Sequence, residues 1–259
     1  MRLGILGALQ VERDDRSVDV AGGRLRALLA RLSLDAGRPV SVGALADAVW
    51  DDELPADEQH ALQSLVSRLR RSLGDGDAIV PAPGGYRLNV QPDAIDAHRF
   101  ERFAAAGAAK LRAGDPERAA ATLGEALALW RGPALADLTG PSFAAAAAAL
   151  TDLRLTAIVD RAEAELALGR GANVVAELET AVAEHPLHER LAARHIAALY
   201  AAGRQADALD AYERVRARLA DELGAAPSPD LQAAHLAVLR GDTAPERRSR
   251  RSNLRSPVT

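Results

Sequence analysis

The 259-residue sequence contains no cysteine, which excludes disulfides, thiolate-held zinc and cysteine nucleophiles. Aromatic residues supply only 3% of the chain, so Ala and Leu must form most of the core. That composition favours thin, closely packed helices over a thick aromatic interior. Lys110 is the single lysine, so cationic contacts must be made by guanidinium groups. No uninterrupted apolar run reaches the length of a membrane span. The opening MRLGILGALQVERDD becomes charged too soon for a signal peptide. The expected compartment is the cytoplasm. Phosphate-loop and nucleophile-elbow motifs are missing as well. The histidines at 60, 98, 185, 188, 195 and 235 have no metal-ligand spacing. Neither an enzyme, nor a cofactor site, nor a metal site follows from these residues.

What is present is enough chain for two domains. Charge differs by segment: residues 1–93 sum to −3, residues 94–241 to −4, and residues 242–259 to +3. A chain that is net negative in both large segments can engage DNA only where its cations are concentrated on one surface.

That concentration is clearest in PADEQHALQSLVSRLRRSL, residues 55–73. As one helix, at about 100° per residue, it places Leu62, Leu65, Val66, Leu69 and Leu73 on one side. His60, Ser64, Ser67 and Arg71 lie opposite, flanked by Gln63 and Arg68. A helix with one face in a core and the other offered to a groove needs this division. Short hydroxyls permit close approach, and guanidinium groups reach phosphates or base edges. Taken alone, the same pattern also describes an ordinary amphipathic surface helix, so the neighbouring stretches decide the matter.

The N-terminal stretch, Leu3 to Val11 and then Ser17 to Val20, reads as a small antiparallel sheet. Residues 24–36 form a helix with a Leu25, Leu28, Leu29 and Leu32 seam that stops at Gly37. Ser41 is a candidate N-cap for a short helix reaching Trp50. After the 55–73 helix, Ile79-Val80, a Pro-Gly-Gly turn at 83–85 and Tyr86 to Val90 form a hairpin. Tyr86 is placed as the anchor of that hairpin to the helices. A sheet, three helices and a hairpin in this order specify a winged helix-turn-helix.

Strand signals vanish after Asp96. Helices are indicated at about 96–113, 116–131, 143–169, 172–184, 188–202, 204–221 and 228–240. Leu166 and Tyr200, Gly169 and Gly203, and Leu178 and Tyr212 are each 34 residues apart. That is the tetratricopeptide period, in which helix pairs bury their faces by stacking on neighbours. LRAGDPERAAATLGEAL, residues 111–127, is a looser third copy. The expected architecture is an α+β winged helix (OmpR-like) over 1–93 and an all-α tetratricopeptide-like domain over 94–241. A basic, disordered tail is expected over 242–259.

These stretches resemble the actinobacterial antibiotic regulatory proteins, the AfsR/DnrI/RedD class of transcriptional activators. LGILGALQV, RALLARLSLDAGRPVSVGALADAVW, LQSLVSRLRRSLG, PGGYRL, LWRGPALADL and YAAGRQADALDAYERVRARLADELG carry the similarity over nearly the whole chain. The resemblance implies an activator of secondary-metabolite genes that binds direct repeats of double-stranded DNA near promoters, where homodimers or side-by-side pairs would sit. It also implies recruitment of RNA polymerase holoenzyme, including its sigma subunit, by the second domain. Carried over by position, the recognition helix is 56–73 and the wing 78–90.

On that helix His60, Ser64, Ser67 and Arg71 would face bases and Arg68 phosphate, while Arg70 leans toward the core side. Arg24 and Arg26 would touch backbone phosphates, and Arg87 would reach the minor groove from the wing. The chain departs from the family pattern at Gln59-His60-Ala61, where Arg-Asn-Thr is usual, and Asp51, Asp52, Glu53, Asp57 and Glu58 crowd that end. The operator therefore need not match the family's usual one. RSNLRSPVT resembles the linker that precedes an ATPase module in the large AfsR-type members, so the chain is expected to be the first part of a longer regulator. ATP is not expected to bind here. The competing function is a protein-interaction module with little DNA specificity of its own.

Overall fold

The computed structural model describes residues 1–51 and 53–241. Asp52 and the tail expected to be basic and disordered lie outside the described residues. Two compact units divide the chain, Met1–Arg161 and Ala162–Thr259, and the expected 93/94 boundary falls inside the first.

The first unit opens with an antiparallel meander of β1 (Arg2–Gly4), β2 (Gln10–Arg13) and β3 (Arg16–Ser17), with Leu3 opposite Val11. Residues 5–9 leave the ladder because later residues satisfy their backbone groups. Asp96 accepts from the Ile5 and Leu6 N–H groups at 2.7 and 3.1 Å, and Asp137 accepts from Leu9 N–H at 2.8 Å. In return, the N–H groups of Arg131 and Leu135 donate to the Leu6 and Ile5 carbonyls at 2.8 and 2.9 Å. Every buried polar group on this loop needs such a partner, and the loop finds them far away in sequence.

Then follow α1 (Gly23–Leu34), β4 (Val40–Ser41), α2 (Val42–Trp50) and α3 (Glu58–Leu73). Ser41 caps α2, its Oγ accepting from Ala44 N–H at 3.2 Å. The Leu seam of α1 packs with Leu45 and Val49 of α2 and Leu62, Leu65 and Leu69 of α3, all buried. β5 (Ile79–Ala82) and β6 (Gly85–Leu88) complete a second sheet in the order β4-β6-β5. Their turn has Pro83 followed by Gly84 at φ +74°, the signature of a type II turn. A side chain on Gly85 would lie 1.9 Å from the Val40 carbonyl oxygen, so β4 can pair there only with glycine. The fold is thus a winged helix-turn-helix.

α4 (Asp96–Arg112) and α5 (Pro116–Leu127) form an antiparallel-type helical pair in the same unit. Phe100 meets Trp130 edge to face at 5.4 Å, and the Arg154 guanidinium lies 4.9 Å from the Trp130 ring, so Trp130 is a packing residue. α6 (Pro141–Ala167) has an 18-residue window of mean hydropathy 1.4. By length and composition it is long enough to cross a membrane, a property conferred by its run of alanines. Asp152 and Arg154 interrupt its apolar sequence.

In the second unit a 3-10 turn (Gly171–Val174) leads into α7 (Val175–Glu184), followed by α8 (Glu189–Ala201), α9 (Gln205–Leu223) and α10 (Pro229–Arg240). His188 caps α8, its Nδ1 accepting from Leu191 N–H at 3.2 Å, and Ser228 caps α10. Gly169 and Gly203, with Gly114 of the looser copy, hold φ near +75° (+71°, +78° and +77°) just past the first helix of each pair. The 34-residue spacing therefore marks a repeated backbone turn. The all-α part is a tetratricopeptide-like repeat.

Candidate nucleic-acid interface

The α3 helix begins at an N-cap. Asp57 Oδ1 accepts from the His60 backbone N–H at 2.9 Å, so one of the crowding carboxylates satisfies a helix-end donor. Leu62, Leu65, Val66, Leu69 and Leu73 are buried, as the sequence spacing predicts. His60, Gln63, Ser64, Ser67, Arg68 and Arg71 are exposed together away from that seam, and Gln59, beside it, is exposed as well.

Three side chains hold the C-terminal half of α3 in place. Arg13 of β2 donates through Nη1 to the Leu73 carbonyl at 3.1 Å and also to that of Gly74. A guanidinium at helix-terminal carbonyls is favourable for both their lone pairs and the helix dipole. Ser72 Oγ donates to the Asp19 carbonyl at 3.1 Å. Arg70 donates through Nε and Nη2 to the Ile79 carbonyl at 2.8 and 2.5 Å.

The cations expected to meet DNA fall into distinct environments. Arg68 has no ion pair with a described residue, and Arg71 makes only a 3.5 Å contact from Nε to the Ser67 carbonyl one turn back. Arg24, at the start of α1, is exposed and 4.0 Å from Glu53. It lines a 500 Å³ cleft with Gly23, Trp50, Pro55, Ser64 and Arg68. Arg24, Ser64 and Arg68 are thereby gathered along one edge of α3.

Arg26 is not gathered with them. Its Nη2 is engaged by the Asp137 carboxylate and, at 3.2 Å, by the Leu9 carbonyl, so the group fixes the N-terminal loop. Arg87 is half-buried on β6, the middle strand of its sheet, with a buried Nε that has no acceptor among the described residues. The wing tip itself, Pro83-Gly84, carries no charge and is exposed. Tyr86 is half-buried on β6, opposite Val40 and Pro81, which joins the hairpin to β4.

Gln59 was not among the expected contacts, and Gln63 only as a flank. The helical wheel places Gln59 near the seam, yet the structure leaves it exposed. A glutamine amide offers one acceptor and two donors, the combination that matches an adenine edge. Among the described residues no group of three or more His, Asp or Glu side chains is arranged to hold a metal ion.

Residues 21–88 match the family described as "Transcriptional regulatory protein, C terminal", and residues 95–239 match the "Bacterial transcriptional activator domain". The chain is 40% identical over 263 residues to the transcriptional regulatory protein EmbR of Mycobacterium tuberculosis, covering 99% of this chain and 68% of EmbR. It is 38% identical over 250 residues to the transcriptional regulator RedD of Streptomyces coelicolor, covering 93% of this chain and 71% of RedD. A solved structure of M. tuberculosis EmbR in complex with a low-affinity phosphopeptide superposes with a TM-score of 0.85 at 40% identity. That match covers 93% of this chain and 65% of the EmbR chain, so this chain spans about two thirds of that relative. These relatives are transcriptional regulators rather than enzymes. The chain belongs to the actinobacterial family of transcriptional regulators that includes EmbR and RedD, in which a winged helix precedes a bacterial transcriptional activator domain.

Proposed function

We propose that this regulator is a sequence-specific transcriptional activator, acting in the cytoplasm on secondary-metabolite genes. The observation that carries the proposal is the outer face of α3. Six side chains are exposed there together, and Arg68 and Arg71 are free of ion pairs with described residues. In a net-negative protein, unpaired cations over a convex helix face are what a major groove requires. His60, Ser64, Ser67 and Arg71 would read base edges, while Arg68 and Arg24, on one edge of the helix, would grip phosphates along one side of the groove. Arg87 would approach the minor groove only by rotating out of its sheet, so its share in binding is small.

Residues 1–93 would form the DNA-binding domain and residues 94–241 the activator domain. Direct repeats near promoters would seat dimers or side-by-side pairs, adding the two binding energies through proximity. The helical domain would contact RNA polymerase holoenzyme, including its sigma subunit. A second function, capture of a regulatory protein partner, is favoured by one feature. A 670 Å³ groove runs between α7 and α9 over α8, with Val182, Ile196 and Val215 among its lining residues.

Simultaneous replacement of Ser64, Ser67 and Arg71 by Ala tests the assignment of the base-reading face. The circular dichroism spectrum should be retained, and the preference for operator over scrambled DNA should fall to near unity. Unaltered discrimination by the triple variant would show that another surface reads the bases.

A further inference from the structure

The three arginines of Arg68-Leu-Arg-Arg71 look equivalent in sequence, but the structure separates them. Arg68 and Arg71 are exposed, whereas Arg70 is half-buried and turned away from the outer face toward β5. β5 is the edge strand of the sheet β4-β6-β5. The Ala78 carbonyl just before it is taken from the sheet side by Asn89 N–H at 2.7 Å. Alternation along an antiparallel ladder turns the next carbonyl, that of Ile79, outward, where no strand lies. An edge carbonyl of this kind, on a residue that is fully buried, needs a donor. Arg70 supplies two, Nε at 2.8 Å and Nη2 at 2.5 Å, forked onto the one oxygen.

We infer that Arg70 is a positioning residue for DNA recognition. It locks the recognition helix to the wing, so that base-reading side chains and hairpin engage the duplex in one fixed register. The inference rests on the DNA-binding function proposed above and assigns to Arg70 a part different from that of its neighbours.

The remaining attachments explain why this tie matters. At its far side the hairpin is held to the rest of the domain by β4 pairing and by a 3.0 Å bond from Val42 N–H to the Gly84 carbonyl. Those contacts bind the wing to the start of α2. The Arg70 fork links the base of the wing directly to α3, three residues before its end, and the turn 74–78 connects that end to β5. Without the fork, the angle between wing and recognition helix would be set by that turn, by apolar packing and by the hairpin's other bonds. Those run to β4, to Val42 and, at the Leu88 carbonyl, from Gly37 N–H at 3.3 Å, and none of them involves α3.

The test compares Arg70→Met, Arg70→Lys and the wild-type chain on operator and scrambled DNA at several salt concentrations. The methionine variant keeps the apolar stem and loses the fork; its operator preference should fall about tenfold or more. Its affinity for scrambled DNA, and the dependence of that affinity on salt, should match wild type. The lysine variant retains one donor for the Ile79 carbonyl and should recover part of the preference. Equal weakening on both DNAs, with the salt slope reduced by about one, would overturn the inference and make Arg70 an ordinary phosphate contact. An unchanged preference would overturn it as well. Hydrogen exchange over residues 78–90 separates this inference from the DNA-binding proposal, because it needs no DNA. Faster exchange in the free methionine variant supports the tie even if the wild-type chain proves indifferent to sequence. Unchanged exchange there would show that the tie does not hold the wing.

Discussion

Replacing Asp96 by alanine should destabilise the first unit more than any surface change, and the structure sets the size of the effect. The two carboxylate oxygens of Asp96 each accept a backbone N–H, from Ile5 and from Leu6, and both of those residues are fully buried. Arg131 adds an ion pair at 3.1 Å to a carboxylate that is only 12% exposed. Alanine would leave two buried donors unsatisfied at about 1–3 kcal/mol each. The ion pair contributes less, because Arg131 is about one-third exposed and screened by water. A total near 4 kcal/mol is a large share of the ~5–15 kcal/mol stability of a typical domain. It should lower the midpoint of thermal unfolding by roughly 8–16 °C for a unit of this size. Asparagine keeps one acceptor and should cost about half as much. The assay is built into the sequence: both tryptophans, Trp50 and Trp130, lie in the first unit, so their fluorescence follows it alone. Urea unfolding followed by fluorescence should show the full loss, while circular dichroism also records the helices of the second unit. An unfolding free energy from the fluorescence curve within about 1 kcal/mol of wild type would refute the claim that Asp96 holds the N-terminal loop.

Two further expectations follow from the wing and from the histidines. Gly85→Ala would drive a methyl group into the Val40 carbonyl, so β4 and β6 must part. The expected cost is about 1–3 kcal/mol, with faster hydrogen exchange at Val40 and Tyr86; an unchanged exchange rate would contradict the packing described. His98 is raised above its ordinary 6.5, first by its hydrogen bond to Glu101 and then by the Ser33 carbonyl and nearby carboxylates, against an opposing effect of burial. A raised folded-state pKa gives stability that is full below pH 6.5 and lost as pH rises through the elevated value. His195 is lowered, chiefly by burial, so its effect has the opposite consequence: stability declines as pH falls below 6.5 toward the depressed value. In urea titrations, His98→Gln should fall furthest behind wild type at acid pH, and His195→Gln should gain on it there. Parallel pH curves for either variant and wild type would contradict the assignment.

How far the sequence discloses this molecule depends on whether a partner is near in the chain. The α3 seam is legible because leucines at 62, 65, 69 and 73 follow helical spacing, and each is buried. Ser41 is recognisable as a cap because its acceptor serves a donor three residues away. The 34-residue recurrence of Gly169 and Gly203 discloses the helical repeat, since both positions demand the same left-handed turn. Arg26, by contrast, stands beside Arg24 in sequence and looks equally available. Its engagement with Asp137 spans 111 residues and leaves no local trace. The stretch Leu3–Val11 is apolar enough for strand, yet residues 5–9 loop out to meet Asp96, Arg131, Leu135 and Asp137. Arg70 is intermediate. Its position on the wheel hints at the core side, but only the fold supplies the Ile79 carbonyl that it serves.

The most direct test of the central claim is the affinity of the purified chain for its own upstream DNA and for a scrambled fragment of equal length, at two or more salt concentrations. Phosphate contacts alone would bind both fragments alike and weaken steeply with salt. The exposed face of α3 predicts a preference of about a hundredfold or more that survives moderate salt. Weak, equal binding to both fragments would contradict it, and would move attention to the groove between α7 and α9 as the place where this regulator meets its ligand.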